Sequence, residues 1–431
     1  MDLRAPFGRI DPDRCGCDAE PGALMPVDEA LARGLALVDP VARCESVPLF
    51  RATGRVLAEP VRAALPLPPF DNAAMDGYAL RLSDLAGPGP WTLPVGARMR
   101  AGDPPCPLPD GAACRILTGA ALPTGADAVV AQEDTARANE TIRLDRRPAP
   151  GQHIRRAGDD LAAGEDVVPA GRLIGPREAG AIAAAGVARV RVRARLRAAV
   201  LCTGSELVPP GQPLAPGQIW DANAAILAAA LDQPWIDRTD LGAVPDDPEA
   251  LAKALVAACA QTNLVITTGG VSVGDEDHMA RLFTEAGGVI HVMKIAMKPG
   301  KPLTIGRLGR TLWLGLPGNP VAAFVTWTVI GARLAEAMVG IAPTIPRKTL
   351  ARLAAPLRHR PGRCEYRPAR VLGYCAQGTQ MIECLEAPGS HRVALLVRAE
   401  GLALIPAEAE AMSAGALVEF LPFGTAHRKD T

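Results

Sequence analysis

Residues 264–278 read LVITTGGVSVGDEDH, an apolar run that breaks into Gly269 and Gly270 and ends in Asp275, Glu276 and Asp277 at the start of a predicted helix. Glycines at a strand end let backbone amides approach a ligand with no Cβ in the way. The following helix N-terminus adds the positive end of its dipole. The three acids would cap that helix or hold a hard cation. Together these groups suit a phosphate or a metal-bound phosphate. The segment has neither the Gly-Lys-Ser/Thr of a P-loop nor the G-x-G-x-x-G of a dinucleotide site, so a generic nucleotide motif does not account for it. Two lysines, Lys298 and Lys301, follow in MKPGKPLTI. There the flanking prolines hold the chain extended and present stiff ammonium groups to a phosphate or oxyanion.

The elements that must carry these groups are predicted by three further segments. Residues 198–206 (AAVLCTGSE) form an apolar strand entering Thr203-Gly204, and Asp221 and Asn223 in IWDANAAILAAAL start an alanine-rich helix at an N-cap. Downstream, Asp246 and Asp247 precede Pro248 at a first helical position, followed by EALAKALVAACA. Residues 311–320 (TLWLGLPGNP) give a strand, a Pro-Gly-Asn-Pro turn with Asn319 as cap, and the apolar helix VAAFVTWTVIGARLAEAM. Strand and helix alternating over this span predict a doubly wound, mostly parallel sheet, whose ligands bind outside the carboxyl ends of the strands. All four motifs fall at those ends.

The rest of the chain sets bounds. Its 431 residues predict two to four domains. Lysine plus arginine and aspartate plus glutamate both number 46, a balance that leaves no electrostatic footprint for nucleic acid or an anionic membrane. The one basic run, RVRVRARLR at 189–197, alternates and predicts a strand with an arginine face in water. No apolar run approaches the ~20 residues of a membrane span, and the N-terminus lacks an apolar signal core. Ten scattered cysteines, including the pair Cys15 and Cys17 with no second pair at zinc spacing, fit free thiols in a reducing compartment. The expected location is the cytoplasm.

Along the chain, the reading is a tail (1–25); a linker or hinge domain (26–59 and 157–195) with an N-terminal helix; a β-rich insertion (60–156); the α/β domain (196–345); and a small C-terminal β-domain (346–431). In the first helix Val27, Ala30, Leu31 and Leu35 share a face that should pack on another domain. In the insertion, Asp76-Gly77 is a turn leading into a strand, and Thr118-Gly119 and Thr124-Gly125 punctuate a strand pair. Beyond 346, ALLVRA and ALVEFLPF are read as short alternating strands.

The motifs PFDNAAMDGYAL, RILTGA with PTGADAVV, IRRAGDDL, TGSEL with GQIWDAN, TTGGVSVGDEDH, MKPGKPL and GLPGNPV occur in one order. In that order they resemble the molybdopterin molybdenumtransferases, the molybdenum insertases that include the insertase domain of gephyrin. The resemblance covers nearly the whole chain after about residue 25. It implies an elongated four-domain homodimer, with the active site in a cleft between the molybdopterin-binding domain of one subunit and the β-rich domain of the other. The implied reaction takes adenylylated molybdopterin and molybdate, releases AMP and leaves molybdenum on the dithiolene sulfurs, with Mg2+ as helper. Carried over position by position, the catalytic residues are Asp76, Asp160, Glu206, Asp246, Asp277 and Lys298, with Glu206, Asp246 and Asp277 on the metal. Substrate-binding residues are Thr118, Gly269, Gly270, Ser272, Gly274, Lys294, Lys301, Pro317, Pro320, Arg367 and Ser390.

Transient contacts with a molybdopterin adenylyltransferase and with apo-molybdoenzymes are further implied partners. Two departures stand out: Ser205 precedes Glu206 where the family commonly has an acid, and Asp275 stands where glutamate is usual. An adenylyltransferase-like enzyme would share the sheet domain and TTGG motif but lack the β-rich and C-terminal domains. A non-catalytic scaffold would need an additional partner surface.

Overall fold

A computed structural model of the protein describes residues 24–270, 278–342, 348–385 and 392–424. At its centre is a six-stranded sheet in the order Ile236–Val244, Leu196–Thr203, Leu264–Thr268, Thr311–Leu316, Thr304–Leu308, Val289–Met293. The first four strands are parallel, Thr304–Leu308 runs antiparallel to them, and Val289–Met293 is antiparallel to Thr304–Leu308 and so returns to the first direction. Strands 264–268 and 311–316 are buried at every position, as parallel strands covered on both faces must be. Helices Ala222–Ala230 and Pro320–Thr326 cover one face through Leu227, Val321 and Val325. Pro248–Gln261 and His278–Glu285 cover the other, where Phe283 stacks on Trp313 at 4.4 Å between ring centroids. The chain reverses its winding between strands 196–203 and 264–268, and ligands of such sheets settle at that switch point.

The stretch Pro320–Met338 is 19 residues long with mean hydropathy 1.3, long and apolar enough by composition to cross a bilayer; 61% of its most apolar window is buried inside the protein, as a core helix requires.

Helix Val27–Ala36 docks on this α/β unit, but with a rotated face. Val27, Ala30 and Gly34 are buried, whereas Leu35 is 40% exposed. A Cβ at Gly34 would stand 3.0 Å from the Leu334 side chain, so the missing side chain is what lets the helix close in along that line. The predicted basic strand is two strands. Arg189–Arg193 pairs antiparallel with Cys44–Pro48, and the chain then crosses to begin strand 196–203. Arg193 is half-buried, donating to the Val41 carbonyl, so the arginines do not form one water-facing row.

The insertion carries a six-stranded sheet in the order Ala128–Ala131, Gly77–Leu80, Ala113–Ile116, Trp91–Met99, Thr141–Leu144, Ala136–Ala138. Apolar side chains pack on both of its faces. Gly77 is dictated by close approach, since a Cβ there would lie 1.9 Å from the Val130 carbonyl oxygen.

In the C-terminal unit, Cys364–Tyr374, Gln380–Cys384, Thr349–Leu353, Leu417–Pro422 and Gly401–Ile405 close on themselves, because 364–374 also pairs with 401–405. The two-residue strand Met297–Lys298 adds to 364–374 from the α/β unit, so the MKPGK segment is extended there; the next peptide, Lys298–Pro299, is cis. ALLVRA is a helical turn, Ala394–Arg398, and not a strand: adjacent Leu395 and Leu396 are both half-buried while Val397 is 87% exposed. ALVEFLPF supplies the alternating strand Leu417–Pro422 as read.

Candidate functional site

The parallel strands end at one edge, and a cavity of about 380 Å³ opens there. Gly269 and Gly270 line it with φ of 86° and 62°, in the left-handed region that favours glycine. A Cβ on Gly269 would meet the Thr203 carbonyl oxygen at 2.6 Å, so the close contact between the two central strand ends excludes any side chain. Glu206 and Asp246 supply carboxylates from the loops after the first two strands of this unit. Those loops are pinned together: the Ser205 amide donates to Asp246 Oδ2 at 3.1 Å, and the Asp246 amide donates to Ser205 Oγ at 3.3 Å. Among the described residues no lysine or arginine lines this cavity.

Asp221 caps helix 222–230, its Oδ1 accepting from the Ala224 amide at 2.9 Å. Asn223, read from sequence as part of that cap, sits in the cavity wall. Its Nδ2 donates to the Gly318 carbonyl at 2.7 Å, and its buried Oδ1 has no partner among the described residues.

A second cavity of about 550 Å³ lies between the α/β and C-terminal units. Among the described residues, Lys298, Lys301, Arg358, Arg360, Arg363, Arg367 and Arg392 line it against one carboxylate, Glu365, so it selects for an anion. Glu365 is 4% exposed; Lys298 Nζ lies 3.3 Å from its Oε1 and Arg367 donates to its Oε2 at 3.0 Å. The two cavities share a wall. Along the turn before helix 320–326, Pro317 and Asn319 line the basic cavity, and Gly318 and Pro320 line the acidic one.

Other candidates stand apart from both cavities within the chain. Asp76 lies at the tip of the inserted sheet, where Oδ1 accepts from the Thr118 amide and hydroxyl, each at 2.7 Å. The Thr118 hydroxyl and amide hold this exposed carboxyl below its ordinary value. Asp160 is exposed, its amide bonded to the Leu67 carbonyl at 2.9 Å. Lys294 has a φ of 60° and lines neither cavity, so it does not join Lys298 and Lys301. Ser272, Gly274, Asp275, Glu276, Asp277 and Ser390 lie outside the described residues.

Sequence reasoning missed Asn223, Trp220 and much of the basic cavity: His359, Glu365 and the arginines at 358, 360, 363 and 392. For the arginines a signal existed in RHRPGR, four basic side chains within six residues beside a turn.

Residues 25–186 match the MoeA N-terminal region (domain I and II), 199–336 the probable molybdopterin binding domain, and 350–423 the MoeA C-terminal region (domain IV). A molybdopterin molybdenumtransferase of Haemophilus influenzae is 36% identical over 404 residues, covering 93% of this chain and 99% of its own. Molybdopterin molybdenumtransferase 2 of Mycobacterium tuberculosis is 39% identical over 380 residues, 86% of this chain and 93% of its own. The crystal structure of a molybdopterin biosynthesis MoeA protein from Pyrococcus horikoshii aligns with a TM-score of 0.77 at 31% identity, over 93% of this chain and 99% of that one. Three matched regions in sequence order, similarity along the whole length and one shared fold agree: the chain belongs to the molybdopterin molybdenumtransferase family.

Proposed function

We propose that this protein transfers molybdenum from molybdate into adenylylated molybdopterin, releasing AMP, in the biosynthesis of the molybdenum cofactor. The observation that carries this reading is the shared wall: one turn, 317–320, borders both an acidic cavity and a basic one. The acidic cavity takes the pterin and pyrophosphate. Gly269 and Gly270 let the backbone approach, and the partnerless Oδ1 of Asn223 accepts a hydrogen bond from a donor on the ligand. The basic cavity takes molybdate, a tetrahedral dianion, on Lys298, Lys301 and Arg367.

A pyrophosphate beside Glu206 and Asp246, with no basic side chain among the described residues of the lining, needs a cation. Mg2+ fits two carboxylates and a phosphate ligand, since it binds through one or two carboxylates and keeps several waters. Among the described residues no group of three metal-capable side chains occurs, and in this reading Glu206 and Asp246 would hold the ion together with Asp277. When bound, Mg2+ supplies charge neutralisation at the pyrophosphate oxygens. The chain's own groups orient and exclude: Ser205 fixes Asp246, Asn223 ties helix 222–230 to the shared turn, and Trp220 walls the cavity mouth with its indole N–H on the Gln212 carbonyl at 2.9 Å.

Asp76 and Thr118 enter the same reading as residues of a second copy, in a cytoplasmic homodimer whose cleft is completed in trans. The test is AMP release from adenylylated molybdopterin followed as molybdate is added. The reading requires stimulation by molybdate and a loss on the order of 10²-fold in Asp246→Asn. AMP release indifferent to molybdate would count against it.

A further inference from the structure

Beneath the cations of the basic cavity lies a buried pair, Glu365 and His359. The His359 side chain is 0% exposed, and its Nδ1 lies 2.8 Å from the Ala409 carbonyl, which can only accept, so that nitrogen carries a hydrogen. Its Nε2 has no hydrogen-bond partner among the described residues and stands 3.6 Å from Glu365 Oε2. The charged groups around the pair are Lys298 and Arg367, both within 3.3 Å of the Glu365 carboxylate, and Arg358 and Arg360 on either side of His359 in the chain. From the opposite turn Glu410 presents its carbonyl, which accepts the His359 amide at 2.8 Å.

The two cations assigned to the oxyanion are thus already engaged by an internal carboxylate. A dianion that draws Lys298 and Arg367 toward itself leaves Glu365 buried with fewer donors, and an unpaired buried carboxylate is costly. Lys298, Arg367 and Glu365 together carry one net positive charge, and the group they form with a bound dianion carries one net negative charge. The nearest group able to give Glu365 a replacement donor is His359, whose Nε2 would donate to Oε2 once it carries a proton from solvent. We propose that oxyanion binding in this cavity is coupled to uptake of one proton by the Glu365–His359 pair, with Glu365 acting as the positioning residue for Lys298 and Arg367. This rests on reading the cavity as the molybdate site.

Calorimetric titration of the full-length protein with molybdate, at one near-neutral pH in two non-oxyanion buffers of different ionisation enthalpy, tests it. The wild type should show a binding enthalpy that changes with buffer by close to one proton taken up per ion. Its apparent Kd should weaken by up to about tenfold per pH unit as pH rises. His359→Gln should still bind molybdate, without the buffer dependence. Wild-type binding with a buffer-independent enthalpy would overturn the coupling, as would a full buffer dependence kept by His359→Gln. No molybdate binding in either buffer would overturn the reading of the cavity itself, an outcome distinct from binding without proton uptake.

Discussion

Lys298→Ala separates the two cavities. Lys298 Nζ is 3.3 Å from the buried Glu365 carboxylate and reaches the basic cavity, while the lining of the acidic cavity does not include it. Each charge-assisted hydrogen bond to a bound dianion is worth roughly 1.5–3 kcal/mol. At ~1.4 kcal/mol per decade, losing one should raise the molybdate concentration for half-maximal AMP release by one to two orders of magnitude. The fold should survive, because Arg367 still holds Glu365 at 3.0 Å and no buried carboxylate is left unpaired. The expected stability cost is about 1 kcal/mol, well under the cost of stranding a buried charge. The assay is a molybdate titration at saturating adenylylated molybdopterin, paired with direct measurement of pterin affinity, which should move by no more than a few-fold. Pterin binding abolished with an unchanged molybdate requirement would show that the lysine serves the other ligand.

Other consequences follow from particular contacts. Gly77→Ala places a Cβ 1.9 Å from a backbone oxygen and should lower stability by about 2–3 kcal/mol, read as a shifted denaturant midpoint. Thr118→Val removes the hydroxyl that holds the Asp76 carboxyl down, so its pKa should rise toward the ordinary aspartate value by NMR titration. The sign for stability is that of a depressed acid: the Asp76–Thr118 contact stabilises above the unfolded value and is lost only as pH falls through the folded one, and the variant should lose it at higher pH. Mixing an Asp76 variant with a Lys298 variant should restore part of the activity after subunit exchange if the cleft is shared, and no recovery would contradict trans completion. Burial pushes the Cys202 thiol up to about 12, so it should resist alkylation until the protein unfolds.

What was legible in the sequence was local. Gly269-Gly270, Asp221, Asp247 before Pro248 and the Pro-Gly-Asn-Pro turn each announce a strand end or helix start, because positive φ and N-caps demand particular residue types. These devices sit where the parallel strands end. What was not legible depends on contacts distant in sequence. Nothing near Lys298 indicates that its partner is Glu365, brought there by pairing of 297–298 with 364–365. Asn223 looked like a cap because caps and cavity walls use the same side chain, and only its bond to Gly318 tells them apart. The alternation of RVRVRARLR is real, but the crossing after Arg193 is set by where strands 44–48 and 264–268 lie.

In the proposed reaction, turn 317–320 joins an oxyanion cavity to a pterin and pyrophosphate cavity, and molybdenum entry and AMP release occur together. The most direct measurement supplies purified protein with adenylylated molybdopterin, molybdate and Mg2+, and follows AMP together with the ability of the product to reconstitute an apo-molybdoenzyme. AMP and reconstituting cofactor should appear in equal amounts, and both should depend on molybdate. AMP without reconstituting cofactor, or neither product from the full-length protein, would contradict this reading.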